Sequence, residues 1–498
     1  MKRRKALVVG SGVLALAGCV DVLDSDDSES DTPSTDPGDD RDPADGDVST
    51  EWTSHRGDPA NTGVRPAEAG PGRSLSIAWE VTHEDLLIEQ RDIDAEELDF
   101  QLIPGETTWP VLVDETVLWT QGYDWIADGD DESGSETVLV AADATDGSIV
   151  WTVPLGEEPL QAWFAPIVHG GSVLLPNLVD GSLGMTVHAV DDGSELERYD
   201  WGLSTLATQP VAADGTVIIG VEEDGGVRLR AFDADDGTPL WDVPGDSRSN
   251  RLPQLAVRND AVYSFARQEG ALVARAVESG EERWTAPVEL PTSLVTERPS
   301  QLGPVTASTH GLFAGGSIEQ FANRDVGTIT AFDGEEGITR FTHNPPGTDA
   351  GDPLESLPDV SEAELERIRE EYLDGAGFSS ANCQPLVVDE RVIGVGWGEV
   401  GNASGTIVYA IHSDTEETIW GVEIASDSFA PVAAGDVVYV TTTAGIEAVS
   451  TDGERLDSVV LESDAETVSE HTPRTEFSPA LGHGRLFVPT TQGIVAIE

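Results

Sequence analysis

Side chains suited to hydrogen bonding and ring stacking gather just ahead of a recurring proline in this sequence. Trp109, Gln209 and Gln384 each precede a proline directly. Trp163, Gln301 and Asn382 stand three residues ahead of Pro166, Pro304 and Pro385, and Arg251 and Gln254 flank Pro253. Glu106 and Glu476 hold similar places. Each proline opens an apolar run. If those runs are the inner strands of sheets arrayed about one axis, the amides, indoles and guanidinium converge at the mouth of a central funnel. Their chemistry is recognition, because amides donate and accept while flat rings exclude water, which suits a small ligand or a peptide loop. A wet channel would carry similar groups, so the pattern names a place before it names a ligand.

Patterns for catalysis or metal binding do not stand out. The nine His show neither an H-x-x-x-H spacing nor a Cys/His cluster. Cys383, in SSANCQPLVV, has strand-like apolar neighbours and no His beside it, and reads as a buried thiol. The turns Asp128 to Glu132 and Asp233 to Asp236 could hold calcium loosely, but solvated acidic turns are the plainer reading. There is no G-x-S-x-G or P-loop, and carboxylates are too abundant for a glycosidase pair to be picked out. The residues themselves call for no metal and no cofactor.

The elements that would position these groups repeat. Val138 to Val153, VLVAADATDGSIVWTV, has two apolar runs around a turn in which Gly147 can take positive φ, the pattern of a β-hairpin. Asp143 can bind the turn's N–H groups, and Trp151 is a large apolar plug. The form A-x-D-x-x-x-G-x-x-x-W returns at Ala231 to Trp241. It returns with Phe as plug at Ala331 to Phe341, and in worn copies ending at Trp284 and Trp420. Ahead of each hairpin stands an inner strand marked by Pro110, Pro166, Pro210, Pro304, Pro385, Pro431 or Pro479, with Leu255 in the remaining place. These eight starts lie 44 to 56 residues apart, except for one interval of 81 between Pro304 and Pro385.

A period in the forties with four strands per unit predicts an all-β fold, an eight-bladed β-propeller of four-stranded blades. A lone four-stranded sheet exposes both faces, so each blade needs its neighbours. The plugs Trp79, Trp151, Trp241, Trp284 and Trp420 are expected between blades. The last unit stops after three strands, and Leu75 to Val81, LSIAWEV, reads as a lone fourth strand that closes the ring. The propeller is placed at 51–498, with insertions at 82–107 and 348–378. The first insertion is expected to be partly helical, and Ser361 to Gly375 in the second to form a short amphipathic helix.

Composition limits the partners. Against 93 acidic residues stand 27 basic ones, a formal net charge of -66, and Lys2 and Lys5 are the only lysines. Such a surface repels itself until salt screens it, at a range of about 3 Å at 1 M. The excess of Asp and Glu is similar to that of proteins from salt-loving archaea. No basic stripe exists to neutralise phosphates, so nucleic acid is an unsuitable partner. Residues 1–18 have a basic start with Arg3 and Arg4 and an apolar run too short for a comfortable span of about 20 residues. The end, Leu16-Ala17-Gly18-Cys19, resembles a lipobox and the Arg pair a twin-arginine export signal. That implies a lipid on Cys19, with 19–50, rich in Asp, Ser, Pro and Gly, as an acidic tether. A monomer held on the outer side of the cell membrane is the expected arrangement.

The blade pattern, the proline-started strands and the opening Trp52-Thr-Ser-His-Arg-Gly-Asp-Pro-Ala-Asn-Thr-Gly63 together resemble the pyrroloquinoline-quinone-type β-propeller repeat proteins. That group includes quinone-dependent alcohol dehydrogenases and outer-membrane-assembly propeller lipoproteins. For the dehydrogenases the resemblance implies a quinone and calcium in the funnel under a pair of adjacent cysteines, and no Cys-Cys pair exists here. It therefore implies a lipid-anchored, non-catalytic scaffold for an unidentified protein or small ligand. A quinone-dependent oxidoreductase is the alternative, and an enzyme acting on surface polysaccharide a further one.

Overall fold

In the computed structural model the described residues are 52–86 and most of 100–498. The stretches 128–132, 157–164, 246–254, 289–300, 344–383 and 462–477, with several shorter turns, lie outside them. Also outside are the signal, the tether, Cys19, Cys383 and the second insertion.

Eight antiparallel sheets make up the body, and their inner strands follow one another around a ring. Blade 1 runs through Val111–Val113, Thr116–Ala127, Ser133–Asp143 and Ile149–Gly156. The inner strands of blades 2 to 7 are Ile167–His169, Val211–Ala213, Ala256–Arg258, Gln301–Ser308, Leu386–Val388 and Ser428–Ala434. Blade 8 takes Ala480–Gly482, Arg485–Pro489 and Gly493–Ile497 from the C-terminal end, and its outer strand, Ile77–Thr82, from the N-terminal part. Glu80 pairs with Val495 and Val81 with Ile494, and Ser76 and Glu498 exchange 2.8 Å backbone bonds. The chain is an eight-bladed β-propeller closed by its N-terminal strand, as the repeat predicts.

Burial explains the strand composition. The second strand of blade 7, Val437–Thr442, is buried along its whole length because neighbouring blades cover both faces. Such strands are β-branched and aromatic runs and not alternating ones. Outer strands carry the charge, as in Glu195–Leu203, whose first four residues are exposed.

The tryptophans join one blade to the next. The Trp79 indole donates to Ala144 O of blade 1 at 3.2 Å. Its ring covers Gly147, where a Cβ would lie 2.7 Å from the indole, and φ there is +73°. Only glycine meets both conditions. The contact repeats as Trp151 over Gly193, Trp241 over Gly280, Trp284 over Gly337 and Trp420 over Gly453. Each of these indoles donates to a backbone oxygen of the following blade. Between blades 2 and 3 the task is shared: Tyr199 covers Gly237 and Trp201 donates to Gly237 O. Blade 6 has Ser413-Asp414 in its turn, and Arg340 of blade 5 bonds Ser413 O and the Asp414 carboxylate instead.

Residues 82–107 divide differently from the expected insertion. Residues 83–86 form one helical turn, 87–99 lie outside the described residues, and Phe100–Thr107 is a strand. It pairs with Thr116–Ala127, whose length beyond the short inner strand leaves backbone groups that need a partner.

Candidate functional site: the plugged channel

Short inner strands fix what the channel wall offers. In each two-residue hairpin the strand's last residue is bonded across the turn, so the middle residue's N–H points away from its neighbour and toward the axis. The chain satisfies many of these donors itself. Trp52 and Leu112 bond reciprocally at 3.0 and 2.7 Å, and Val168 donates to Thr53 O at 2.8 Å. Val257 donates to Pro59 O at 2.6 Å, Ala307 to Ala60 O at 2.9 Å and Ala433 to Gly63 O at 2.8 Å. Val64–Arg65 then pairs in parallel with Ser428–Ala434. Residues 52–65 thus form an arm that winds around the inside of the channel and touches blades 1, 2, 4, 5 and 7 in order. Asn61 bridges blades 4 and 5, its Nδ2 donating to Leu255 O at 2.9 Å and Val305 O at 3.2 Å.

Arg56 is the arm's innermost side chain, fully buried, with a left-handed backbone at φ 53°. Its Nη1 donates to Pro385 O at 2.9 Å and its Nη2 to Pro431 O at 2.6 Å, tying blades 6 and 7 to the arm. Burial away from water lowers its pKa to about 9, with Asp58 opposing, so it stays a cation at neutral pH. Arg65 returns the arm to itself, donating to Gly57 O at 2.7 Å with its guanidinium 4.9 Å from the Trp52 ring centroid.

His55 sits beside Arg56 in a different role. Its Nε2 is 3.1 Å from Gln384 Oε1, and its ring is 4.6 Å from that of Trp109. Burial pulls its pKa down to about 3; the Gln384 bond opposes this and the Arg56 charge adds to it. The imidazole is neutral at physiological pH. With Gln384 Oε1 accepting, the proton is on Nε2.

Of the residues singled out in the sequence, Trp109 and Gln384 meet here, joined through His55, and both are buried. Gln209 is buried on the blade 3 side of the channel. Gln301 lies in the blade 5 inner strand. Trp163, Arg251, Gln254 and Asn382 lie outside the described residues. His55, Arg56 and Asn61 were legible only as part of the opening motif. The bonds of Arg56 and Asn61 run to backbone carbonyls, which leave no mark in the sequence, and His55 meets the Gln384 side chain across 329 residues. No cluster of His, Cys, Asp and Glu among the described residues is arranged to hold a metal ion. No helix among them is long and apolar enough to cross a membrane.

Ring, closing strand and indole-on-glycine contacts define an eight-bladed β-propeller of four-stranded blades. Residues 134–311 match the family described as outer membrane protein assembly factor BamB. Among solved structures, quinohemoprotein alcohol dehydrogenase from Comamonas testosteroni superposes with a TM-score of 0.56 at 14% identity, covering 91% of this chain and 81% of that one. Quinohemoprotein alcohol dehydrogenase ADHIIG from Pseudomonas putida HK5 gives 0.51 at 13% identity, over 90% of this chain and 79% of that one. BamB from Moraxella catarrhalis gives 0.48 at 15% identity, over 80% and 97%. No curated protein matches the sequence. At these identities the likeness is one of fold.

Proposed function

We propose that this chain is an exported, lipid-anchored β-propeller that works as a non-catalytic binding scaffold. The observation behind this reading is the arm, which puts Arg56 and His55 on the channel wall at the depth of the inner strands. A calcium ion there would face a guanidinium cation, and a neutral imidazole with one bare nitrogen is a poor substitute for hard oxygen ligands. These residues do not fit a calcium-bound quinone. The family description matched by residues 134–311, an assembly factor, supports a scaffold role as well.

Export and anchoring follow from Arg3, Arg4 and the lipobox-like end at Cys19, with 19–50 as the spacer. The working surface is then the faces of the disc on the outer side of the membrane. Trp163, Arg251, Gln254, Gln301 and Asn382, each close in sequence to a proline at or near a strand start, are the candidate contacts for a peptide loop. A net charge of -66 favours protein or small-molecule partners over nucleic acid.

Two measurements test the reading. Wild type should carry lipid and sediment with membranes, while Cys19→Ala should be released. Added quinone with calcium should give no stoichiometric cofactor absorbance and no alcohol-dependent dye reduction. Stoichiometric quinone uptake with turnover, or full membrane retention of Cys19→Ala, overturns it.

A further inference from the structure

The arm supplies a carbonyl to the mid-strand N–H of five blades and to none on blades 3, 6 and 8, of which blade 3 borders a cavity. There the register pairs Val211 with Ile218, Ala212 with Val217 and Ala213 with Thr216. Ala212 is therefore the counterpart of Leu112, Val168 and Val257, with its N–H turned to the axis. Among the described residues nothing accepts from it. Ala212 lines a cavity of about 510 Å³ bounded by the arm and by the inner-strand turns of blades 2 to 4. That volume lies within the range of small-molecule sites.

A second donor lines the same space. Arg258 makes no ion pair or hydrogen bond among the described residues. Many other arginines of this acid-rich chain hold a carboxylate, among them Arg65, Arg228, Arg230, Arg391 and Arg485. Acceptors face the cavity from the turns, where Asp214 and Asp260 are exposed. Asp58, on the arm, is already engaged by Thr62 N at 3.1 Å and Arg65 at 3.7 Å. Donors thus stand on the strands and free carboxylates on the turns.

The geometry points to a binding site for a small zwitterion, its carboxylate on the Ala212 N–H and the Arg258 guanidinium and its ammonium at Asp214 and Asp260. A plain anion would meet three carboxylates in a chain that is already strongly negative. A plain cation would leave Arg258 and the Ala212 N–H unused. A zwitterion satisfies both sets and adds no net charge. This reading is independent of the scaffold role, since the cavity lies on the blade 3 side of the arm and involves no membrane partner.

Calorimetric titration of the full chain in molar salt with glutamine, acetate and propylamine tests it. Glutamine should bind one to one, and acetate and propylamine at least about tenfold more weakly. Arg258→Gln should weaken glutamine about tenfold or more at an unchanged melting temperature. Ala212→Pro should do the same, since that N–H lies outside the sheet ladder, where proline is tolerated. Absence of glutamine binding overturns the assignment. So does equal binding of acetate or propylamine, or undiminished affinity in Arg258→Gln.

Discussion

Replacing Arg56 with Met removes the arm's innermost bonds while keeping an unbranched side chain of similar reach. Two donors disappear, those to Pro385 O at 2.9 Å and Pro431 O at 2.6 Å; Pro385 O keeps Thr306 Oγ1 at 2.6 Å, whereas Pro431 O becomes a buried carbonyl that Met cannot serve. That orphaned acceptor costs about 1–3 kcal/mol, and the charge-assisted bond lost at Pro385 O about 1.5–3 kcal/mol. Against this, the variant no longer buries a cation, and replacing buried charge by apolar volume often returns stability. The lost bonds outweigh that gain because the blades that carry the two carbonyls stay in place. The docked arm should lose about 2–4 kcal/mol. A whole-chain melt reads this poorly: about 330 described residues have a melting entropy near 0.7 kcal/mol/K, so the midpoint moves only a few degrees.

Amide hydrogen exchange is the sharper assay. The N–H groups of Val168, Val257, Ala307 and Ala433 donate to arm carbonyls, so their protection reports arm docking directly. In Arg56→Met their protection should fall about 30- to 900-fold, following from 2–4 kcal/mol. The N–H of Val440, inside the blade 7 ladder, should change little. Equal loss at Val440 would mean that the arm and ring open as one unit. No loss at the four wall amides would refute the claim that Arg56 pins the arm.

Gly147→Ala should destabilise by about 2–5 kcal/mol in urea titrations, because the new Cβ meets Trp79 at 2.7 Å with φ at +73°. Gly171→Ala, with φ +78° and nothing within 4 Å, should cost only the left-handed penalty of about 1–2 kcal/mol. Trp79→Ala should cost about 3–5 kcal/mol, and a value under 1 would argue against ring closure through this residue. His55 gives a pH test: its folded pKa of about 3 is below the unfolded 6.5, so its contribution is whole above pH 6.5 and lost toward pH 3. The stability gap between wild type and His55→Gln should therefore narrow on acidification, by at most about 1.4 kcal/mol per pH unit, and a gap that widens contradicts a neutral buried imidazole.

Blade number and ring closure were legible because they rest on local chemistry that repeats: a proline at seven of the eight strand starts, an Asp and a Gly in most turns, and an aromatic plug after them. Which glycine each plug covers was not. Read along the chain, Gly147 and Trp151 belong to one hairpin, whereas in space Gly147 lies under Trp79 and Trp151 covers Gly193. Spacing reports what one repeat contains and is silent on which neighbour completes it. The arm was hidden for a related reason. Thr53, Pro59, Ala60 and Gly63 act through main-chain carbonyls, which every residue has, so their types carry no signal. Among the funnel candidates, Trp109 and Gln384 lie at the channel, but that they meet His55 of the chain itself depends on a contact spanning 329 residues.

The contacts that finish this fold are those between its first and last parts. Arg56 reaches Pro431 across 375 residues and Ser76 reaches Glu498 across 422, so neither the plug nor the closing strand can dock before the chain is nearly complete. Loop-closure entropy grows only with the logarithm of length, so such contacts cost about 2 kcal/mol more than ones spanning 50 residues. The larger penalty is in rate, because the ring's edges stay open while the remaining blades are made. Salt bears on the same interval: a chain of net charge -66 collapses against its own repulsion, and screening helps the open ring as much as the closed one. A ring assembled this way is sound only once its first and last parts have met, which makes the Ser76–Glu498 pairing the last step of its assembly.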